Sequence, residues 1–478
     1  MQSIEITTLK KLDWKVVLIF LVIQSILIYS LLDKFYLLIL PLLFFLIFLF
    51  VLANLERSLY LVLFSMAFSQ SLPAFDVGGR TVGTSFDYIL IPMVISAWLI
   101  KKVFSSASLP SLKIPFKAPA ILFTLFCLFS LGLANFRIGF TQLLDGIFPF
   151  LSWVGYLLLA FVIVDTVNTP QQIKHLFYLM FALALVIAGI GIVEYLVFAP
   201  FRIGSIFGSI FRGIKGNSNA LGTYLAIFAL ISLNFFLNYK KGKKHLWILA
   251  FLVFVLGLIF TFSRSSWLGF TIGSIFLIWR SNKRLLIFWI ALALLISPIW
   301  LPEKVTHRIS TIGEAAFNNI LIHKFLNIDY RLIQTQAIER YGVYGYNIEV
   351  VSAALRYSAW KDGVDIFRRF PLFGSGYRLN KHFGRMITAE DLYLDILATT
   401  GMLGFSAFLW MGYKLIKLPR SILKETKEPF HKSLAASYIS ILILLSIVSL
   451  TGSVFFDPKL LGAFWFLTGL ISSIRNSD

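Results

Sequence analysis

The chain has 478 residues, of which 58% are hydrophobic and only 14% charged, and its mean hydropathy is +0.83. This composition excludes a water-soluble enzyme, and the apolar runs do not alternate as the strands of a transmembrane β-barrel do. The 43 Lys and Arg residues exceed the 23 Asp and Glu residues by 20 charges. In a membrane protein such an excess indicates which loops face the cytoplasm, so we expect no nucleic-acid partner.

Apolar segments follow one another along most of the chain, and a membrane-spanning helix needs about 20 such residues. We therefore predict an all-α, polytopic integral membrane protein of about 14 transmembrane helices. The predicted spans lie near 15–32, 36–53, 57–72, 86–100, 118–133, 147–165, 175–197, 219–238, 245–262, 265–280, 285–301, 391–412, 433–454 and 459–474.

These spans divide the chain into three parts. Residues 1–301 hold the first eleven predicted helices, 302–390 form a large periplasmic loop, and 391–478 hold the last three. The large loop contains turn signals such as Pro371-Leu372-Phe373-Gly374-Ser375-Gly376. From Ala353 to Phe370 its pattern is helical, with Trp360, Val364 and Phe367 on one apolar stripe. We expect short amphipathic helices there, lying on the outer membrane face.

The positions of the basic residues predict the orientation of the spans. Of the Lys and Arg residues, 23 fall on one side of the predicted membrane, 8 fall in the opposite short loops, and 12 fall in the long loop. Cytoplasmic loops are enriched in Lys and Arg. We therefore expect both termini in the cytoplasm and the long loop on the outer side of the membrane.

The sequence offers little for metal or cofactor chemistry. Cys127 is the single cysteine and lies in an apolar run, where a buried packing role is expected. The chain carries neither a Gly-rich phosphate loop nor a paired-histidine zinc motif. We therefore predict no metal and no cofactor.

Ionisable residues beside membrane spans are the candidates for function, because their burial is costly. Cations beside a helix N-terminus form an anion site, which favours Arg212 and Lys215 over Arg202. Asn217 and Asn219, at the start of the next span, are equally consistent with helix capping and with function. Arg264 lies in a turn of a few residues between two spans. That position leaves its guanidinium either inside the bundle or at the outer headgroups.

Further candidates lie in and after the long loop. Arg356 shares the stripe of Trp360, where an arginine needs an anion, whereas Arg368 and Arg369 are typical of interfacial charges. The acids Glu390, Asp391 and Asp395 stand at or just inside the outer end of a span. They are consistent either with stabilisation of the helix N-terminus or with a general base.

At these residues the sequence resembles the superfamily of bacterial O-antigen ligases and Wzy-type O-antigen polymerases, over about residues 200–420. The resemblance is carried by four elements, none of which is specific alone. They are Arg212-Gly213 with Asn219, Leu221 and Gly222; Ser263-Arg264; Arg356 to Trp360 followed by Pro371–Gly376; and Glu390-Asp391-Leu392-Tyr393-Leu394 followed by Gly401-Met402-Leu403-Gly404.

The resemblance implies transfer of a glycan from undecaprenyl pyrophosphate to an acceptor hydroxyl in the periplasm, without a metal and with inversion at the anomeric carbon. It implies that Arg264 and Arg356 hold the pyrophosphate, assisted by Arg212 and Lys215, with Asn219, Asp391 and Tyr357 in supporting positions. Ligases of the superfamily have a His-Asn pair where this chain has Glu390-Asp391. We therefore take Glu390 as the expected base; His382, eight residues earlier, is expected to be a solvated loop residue.

The leading hypothesis is a polymerase of lipid-linked oligosaccharide repeat units of an O-antigen or related surface polysaccharide. Its expected partners are the lipid-linked oligosaccharide, membrane lipids and a chain-length regulator. The alternative is an O-antigen ligase that transfers the glycan to lipid A core or to a protein. A flippase of lipid-linked sugar is disfavoured, because no internal repeat is evident and the polar groups cluster on one face.

Overall fold

The computed structural model describes residues 36–68, 71–77, 80–104, 114–198, 203, 217–239, 244–281, 348–384 and 391–477. The predicted spans at 15–32 and 285–301 lie outside these ranges, as do residues 302–347 and 385–390 of the long loop. Within them the chain forms thirteen α-helices, two short 3₁₀ turns and one pair of strands.

The helices before the long loop are α1 (Tyr36–Ala53), α2 (Leu55–Phe68), α3 (Asp87–Phe104), α4 (Lys117–Ile138), α5 (Phe140–Thr166), α6 (Pro170–Phe198), α7 (Ser218–Asn238), α8 (Lys244–Phe260) and α9 (Arg264–Ser281). They are followed by α10 (Ile348–Arg369), α11 (Leu392–Glu425), α12 (Pro429–Ser449) and α13 (Pro458–Ser477). The 3₁₀ turns are Asn380–His382 and Val454–Phe456.

Twelve of the predicted spans coincide with a described helix. Six of these helices, α4, α5, α6, α7, α11 and α12, are long and apolar enough to cross a membrane, and two shorter apolar helices cover Leu42–Ala53 and Lys244–Phe260. The chain is therefore a multi-pass membrane protein. The number of about 14 spans stays a prediction.

The all-α expectation is confirmed, and one β-hairpin is the feature that the sequence did not predict. The strands β1 (Ser71–Val77) and β2 (Arg80–Ser85) pair antiparallel, with Phe75 opposite Val82. The span predicted at 57–72 accordingly ends at Phe68. The physical reason is local: Pro73 and the Gly78-Gly79 pair disfavour a helix, and a glycine pair between two β-prone runs is typical of a hairpin turn.

Helix α7 forms the centre of the bundle, since 89% of its apolar window is buried. Between apolar helices in lipid, close approach depends on small residues. Gly269 and Gly273 of α9 face α12 so closely that a Cβ would lie 3.1 Å from Leu444 O and 3.2 Å from Ser440 O. The same device brings α7 against the start of α9 at Gly222.

Charged side chains sort to the two ends of this bundle. At one end, Lys102 at the end of α3 pairs with Asp165 at the end of α5 at 2.7 Å, and Lys174 at the start of α6 pairs with Glu428. Both lysines belong to the group that the sequence assigns to the cytoplasm. At the other end, Asn217 before α7 donates to Asp457 before α13, at 3.3 Å. We call this second end, where α3, α5, α7, α9, α11 and α13 begin, the site end.

Helix α11 is interrupted within the bundle. Gly401 has φ 68° and ψ −172°, which divides α11 into a first half from Leu392 to Thr400 and a second half from Met402 onward. We call the first half the outer half-helix. This backbone conformation is essentially restricted to glycine. A Cβ at Gly401 would also lie 2.3 Å from Leu372 O.

Gly401→Ala should therefore destabilise the protein by at least about 1–3 kcal/mol, through backbone strain and the clash with the Leu372 carbonyl. The measurement is the Tm of purified protein in nanodiscs. Gly412→Ala is the matched control on the same helix, because nothing lies within 4 Å of a Cβ there. That control should raise stability slightly. Equal Tm values for Gly401→Ala and wild type would contradict the strained break.

Candidate active site

The break in α11 is braced by the turn segment that the sequence singles out. The backbone N–H groups of Ser375 and Gly376 donate to the carbonyls of Ala398 and Thr399, at 3.0 and 3.1 Å. Ser130 of α4 donates a further hydrogen bond to Thr399 O, at 2.6 Å. The carbonyls that the break leaves without helical partners are therefore satisfied by protein groups, as a membrane interior requires.

The second half of α11 is held by the same segment. Met402 N donates to Pro371 O at 2.8 Å, and Leu403 N donates to Leu372 O at 3.4 Å. Gly374 has φ +75°, and a Cβ there would lie 2.2 Å from the Thr399 carbonyl. Gly374 and Gly401 thus lie at one joint between two backbones, since a Cβ at either would clash with the backbone of the other segment.

Arg137 of α4 also contacts the segment that forms this joint. The Arg137 guanidinium donates to Gly374 O at 3.0 Å and stacks over the Phe370 ring at 4.2 Å from its centroid. Since α4 ends at Ile138, Arg137 connects the site end of α4 to the segment that follows α10.

The acids at the start of α11 already have partners. Asp391 is the N-cap of the helix and accepts from Leu394 N at 2.8 Å. Burial raises the pKa of Asp391, and the two backbone N–H groups that face it oppose that rise. Asp395 is 1% exposed and accepts from Arg378 at 2.8 Å and from Asn380. The helix-stabilising role of Asp391 is thereby seen directly.

The backbone of Arg378 has a left-handed conformation, which is rare for a residue other than glycine. It has φ +60°, a conformation that costs a non-glycine residue about 1–2 kcal/mol. Its guanidinium also stacks over the ring of Phe456, 4.5 Å from the centroid. Phe456 belongs to the 3₁₀ turn between α12 and α13, so Arg378 contacts both the outer half-helix and the last helical hairpin.

The expectation that His382 is a solvated loop residue is wrong. His382 Nε2 lies 2.8 Å from Asp145 Oδ2 of α5, and Lys381 Nζ lies 2.7 Å from the same oxygen. The His382 side chain is only 16% exposed. The physical reason is that the 3₁₀ turn Asn380–His382 packs between α5 and α11 and presents its polar side chains to a carboxylate on each helix.

The starts of α7 and α9 meet beside this region. Asn217 caps α7 by accepting from Ala220 N at 3.1 Å. Ser266 Oγ of α9 lies 2.8 Å from Ser263 Oγ and 3.3 Å from the carbonyl of Asn219. Arg264 is the first residue of α9 and is partly buried. The structure therefore brings Arg264 and Asn219 to one junction, which we call the α7/α9 junction.

Asp457 connects the junction to Arg378. It accepts from the Asn217 side chain at 3.3 Å and from Lys459 N at 3.1 Å, and it directly follows Phe456. Burial raises the pKa of Asp457 to about 6. Asp457, Phe456 and Arg378 thus form a continuous path of contacts from α7 to the outer half-helix.

Helix α10 confirms the helix expected from Ala353 to Phe370, and its stripe of Trp360 and Val364 faces away from the bundle. Trp360 and Val364 are 43% and 37% exposed, whereas Ala359 and Ile366 are buried. The small side chain of Ala359 allows α10 to approach its neighbours closely, and the larger apolar residues are left facing outward. An outward apolar face suits contact with lipid. Arg356, one turn before Trp360, is partly buried.

An open groove of about 510 Å³ lies between α10, both halves of α11 and the end of α12. It is lined mainly by apolar side chains and has one carboxylate, that of Asp391. The lining residues are Trp360, Asp391, Tyr393, Leu394, Leu397, Phe405 and Leu450.

Several predicted site residues lie outside the described residues: Glu390, Arg212, Lys215 and the side chain of Tyr357. Arg264, Arg356, Asn219 and Asp391 are described. Among the described residues, no group of three or more His, Cys, Asp or Glu side chains is placed to hold a metal ion.

Sequence reasoning missed the pairing of Asp395 with Arg378 and Asn380, and the contacts of Asp145 and Asp457. One signal was available, because Asp145 and Asp395 are acids inside predicted spans or at their edges, where an unpaired carboxylate is costly. The sequence could not identify the partners of these acids, since the partners depend on the path of the chain between 371 and 384.

The model of one known family matches the chain over residues 248–409, and the description of that family is O-antigen ligase (Wzy_C). The resemblance seen in the sequence is thereby confirmed over this region. The region contains Arg264, Arg356, the Pro371–Gly376 segment and the outer half-helix, whereas the element at Arg212 and Asn219 lies before it. A search of curated proteins found no match.

The raised pKa of Asp457 predicts how stability depends on pH. An acid whose pKa is higher in the folded protein than its ordinary value of 3.8 contributes stability at low pH, and this contribution is lost as the pH rises through about 6. Asp457→Asn removes that loss. The variant should gain Tm relative to wild type at pH 7.5 more than at pH 4.5. Thermal unfolding in nanodiscs at both pH values measures this, and an equal difference at both would contradict it.

Proposed function

We propose that the chain is a polymerase of undecaprenyl-pyrophosphate-linked oligosaccharide repeat units, such as those of an O-antigen or related surface polysaccharide. The family match supports membrane glycan transfer from a lipid-linked donor. The observation that carries the proposal is the α7/α9 junction, where two helix N-termini and Arg264 meet at one end of the bundle.

This junction suits a pyrophosphate because helix N-termini carry partial positive charge and unpaired N–H groups. Arginine adds a planar donor that can bind two phosphate oxygens at once. In the proposal, Arg264 and Arg356 bind the donor pyrophosphate, and Arg212 and Lys215 assist. Asn219, Asp391 and Tyr357 support the site.

The groove beside the outer half-helix suits the apolar chain of the donor. Its lining is mostly aliphatic and aromatic, and its one carboxylate marks the end nearest the start of α11. Trp360, which lines the groove, lies one helical turn from Arg356. A polyprenyl chain in the groove would therefore bring its pyrophosphate toward the arginine that is proposed to bind it.

The proposed reaction is a direct displacement. The oxygen of the acceptor hydroxyl forms a bond to the anomeric carbon, while the bond from that carbon to the pyrophosphate oxygen breaks, so the configuration inverts. Glu390 takes the proton of the hydroxyl, and the electron pair leaves with undecaprenyl pyrophosphate. The arginines stabilise the charge that develops on this leaving group.

The proposed setting is the bacterial inner membrane, with both termini in the cytoplasm and the site end in the periplasm. The grouping of Lys102 and Lys174 at the opposite end of the bundle supports this orientation. The proposed partners are the lipid-linked oligosaccharide, the surrounding lipids and a chain-length regulator.

The second candidate function is that of an O-antigen ligase with lipid A core or a protein as acceptor. The description of the matching family favours it. The donor chemistry is the same in both proposals, and only the acceptor differs. Glu390-Asp391 at the position of the ligase His-Asn pair favours the polymerase.

Arg264→Ala and Glu390→Gln should each abolish chain growth without loss of folding, because one removes charge from the leaving-group site and the other removes the base. The measurement is the polysaccharide ladder formed in nanodiscs, beside the Tm of each variant. Arg280→Ala, in the last turn of the same helix as Arg264 and exposed, is the control that should retain activity. Full activity of either test variant would refute its assigned role.

The two functions predict different products from one assay. The purified protein is incubated with a defined lipid-linked repeat unit, with and without lipid A core, and the products are separated on a gel. The polymerase predicts a ladder from the lipid-linked units alone. A single shifted band that requires the core would instead establish the ligase and would remove the basis for Glu390 as the base.

A further inference from the structure

The outer half-helix is held at both of its ends by one short stretch of chain. At its inner end, Ser375 and Gly376 donate to the carbonyls of Ala398 and Thr399. Near its outer end, Arg378 and Asn380 donate to Asp395. Its orientation relative to the bundle therefore depends on residues 375–380.

We propose that Arg378, Asn380 and Asp395 are positioning residues for the transfer reaction, which orient the outer half-helix so that its first residues face the donor held near Arg264. This inference rests on the proposed function and deepens it. Asp391 is the cap of the half-helix, and Glu390, the proposed base, precedes it directly in the sequence.

The first argument is the chemistry of the pair. Asp395 is almost fully buried, and its partner Arg378 is 21% exposed on its side chain. A buried ion pair is often no more stabilising than apolar residues of the same size, because both charges lose their hydration. What these contacts add is a fixed orientation of the outer half-helix, since Arg378 and Asn380 both donate to the Asp395 carboxylate.

The second argument is backbone strain. Arg378 adopts φ +60°, which glycine would adopt at far lower cost. Strained non-glycine residues persist where the surrounding structure requires their side chain, and they concentrate at functional sites. Here the side chain has two partners, the Asp395 carboxylate and the Phe456 ring.

The third argument is the connection to the α7/α9 junction. Phe456 under Arg378 is followed by Asp457, which accepts from Asn217 at the start of α7. Arg378 therefore links the outer half-helix, which follows the proposed base in the sequence, to the junction that carries Arg264. A displacement of reacting groups by about 1 Å can cost about 100-fold in rate.

The proposal predicts a specific kinetic effect. Arg378→Met should lower kcat by about 100-fold, because the half-helix is no longer oriented. The KM for the lipid-linked donor should stay within about 2-fold, since the donor pyrophosphate is bound by other cations. Arg378→Lys, which keeps the charge, should recover part of kcat.

A double variant separates positioning from mere stability. Arg378→Met leaves Asp395 buried without its charge partner, which alone lowers stability. Arg378→Met combined with Asp395→Leu removes both charges and should bring the Tm back toward wild type while kcat stays low. Lys381→Met is the matched control: it breaks an ion pair three residues further along the chain, between Lys381 and Asp145 of α5, and should keep wild-type kcat.

The experiment uses full-length protein in nanodiscs, with rates at limiting and saturating lipid-linked repeat unit, the Tm of each variant, and the Tm shift caused by undecaprenyl pyrophosphate alone. Low kcat with a normal Tm shift, in both Arg378→Met and the double variant, supports the proposal. Recovery of wild-type kcat together with Tm in the double variant would show a purely structural pair and overturn it. Loss of the Tm shift in Arg378→Met would show that Arg378 binds the phosphate, which also overturns it.

If wild type binds undecaprenyl pyrophosphate but transfers no glycan from any lipid-linked unit, the proposed function fails, and this inference fails with it.

Discussion

The interruption of α11 at Gly401 is the constraint on which the site depends. In the interior of a membrane protein, water is not available to satisfy backbone carbonyls, so a broken helix is tolerated only where protein groups replace the missing hydrogen bonds. The segment from Pro371 to Gly376 supplies these groups. It depends on a glycine at position 374, because any Cβ there would clash with the Thr399 carbonyl. Once the joint has formed, the outer half-helix can take a direction that a continuous helix would not permit.

Charge then connects this joint to the rest of the site end. Asp395 and Asp145, on two different helices, are bound by the side chains of one short turn, through Arg378 and Asn380 and through Lys381 and His382. The polar groups of α7, α9 and α13 meet nearby through Asn217 and Asp457. The fold thus assembles cations, helix N-termini and carboxylates at one end of an otherwise apolar bundle, as transfer from an anionic lipid headgroup requires.

Much of this architecture could be predicted from the sequence, and the reason is physical. Apolar runs of membrane length dictate helices whatever their packing, and α1 to α9 and α11 to α13 each overlap a predicted span. Two bounds were wrong, since α5 begins at Phe140 instead of near 147 and α11 ends at Glu425 instead of near 412. The capping role of Asp391 was one of two predicted alternatives, because an acid at the start of a helix is favourable by itself. Asn219 and Arg264, which the sequence singles out, lie at the site end, and their roles stay predictions.

The features that could not be predicted depend on long-range packing. Periodicity identified the apolar stripe of Trp360, but it could not show that the stripe faces away from the bundle. The pairing of Arg378 with Asp395 joins residues through a left-handed backbone at an arginine, a conformation for which no sequence signal exists. His382 was taken as solvated because its partner, Asp145, lies 237 positions away.

The joint itself is tested most directly by amide hydrogen exchange of the protein in nanodiscs. In this account, backbone hydrogen bonds join residues 371–376 to residues 398–403. The amides of Ser375 and Gly376 should therefore be protected from exchange to the same degree as those within α11. Slow exchange across both segments would confirm that they form one unit. Fast exchange of 374–376, with protection confined to the helix, would contradict the account, because the carbonyls at the break would then lack their partners.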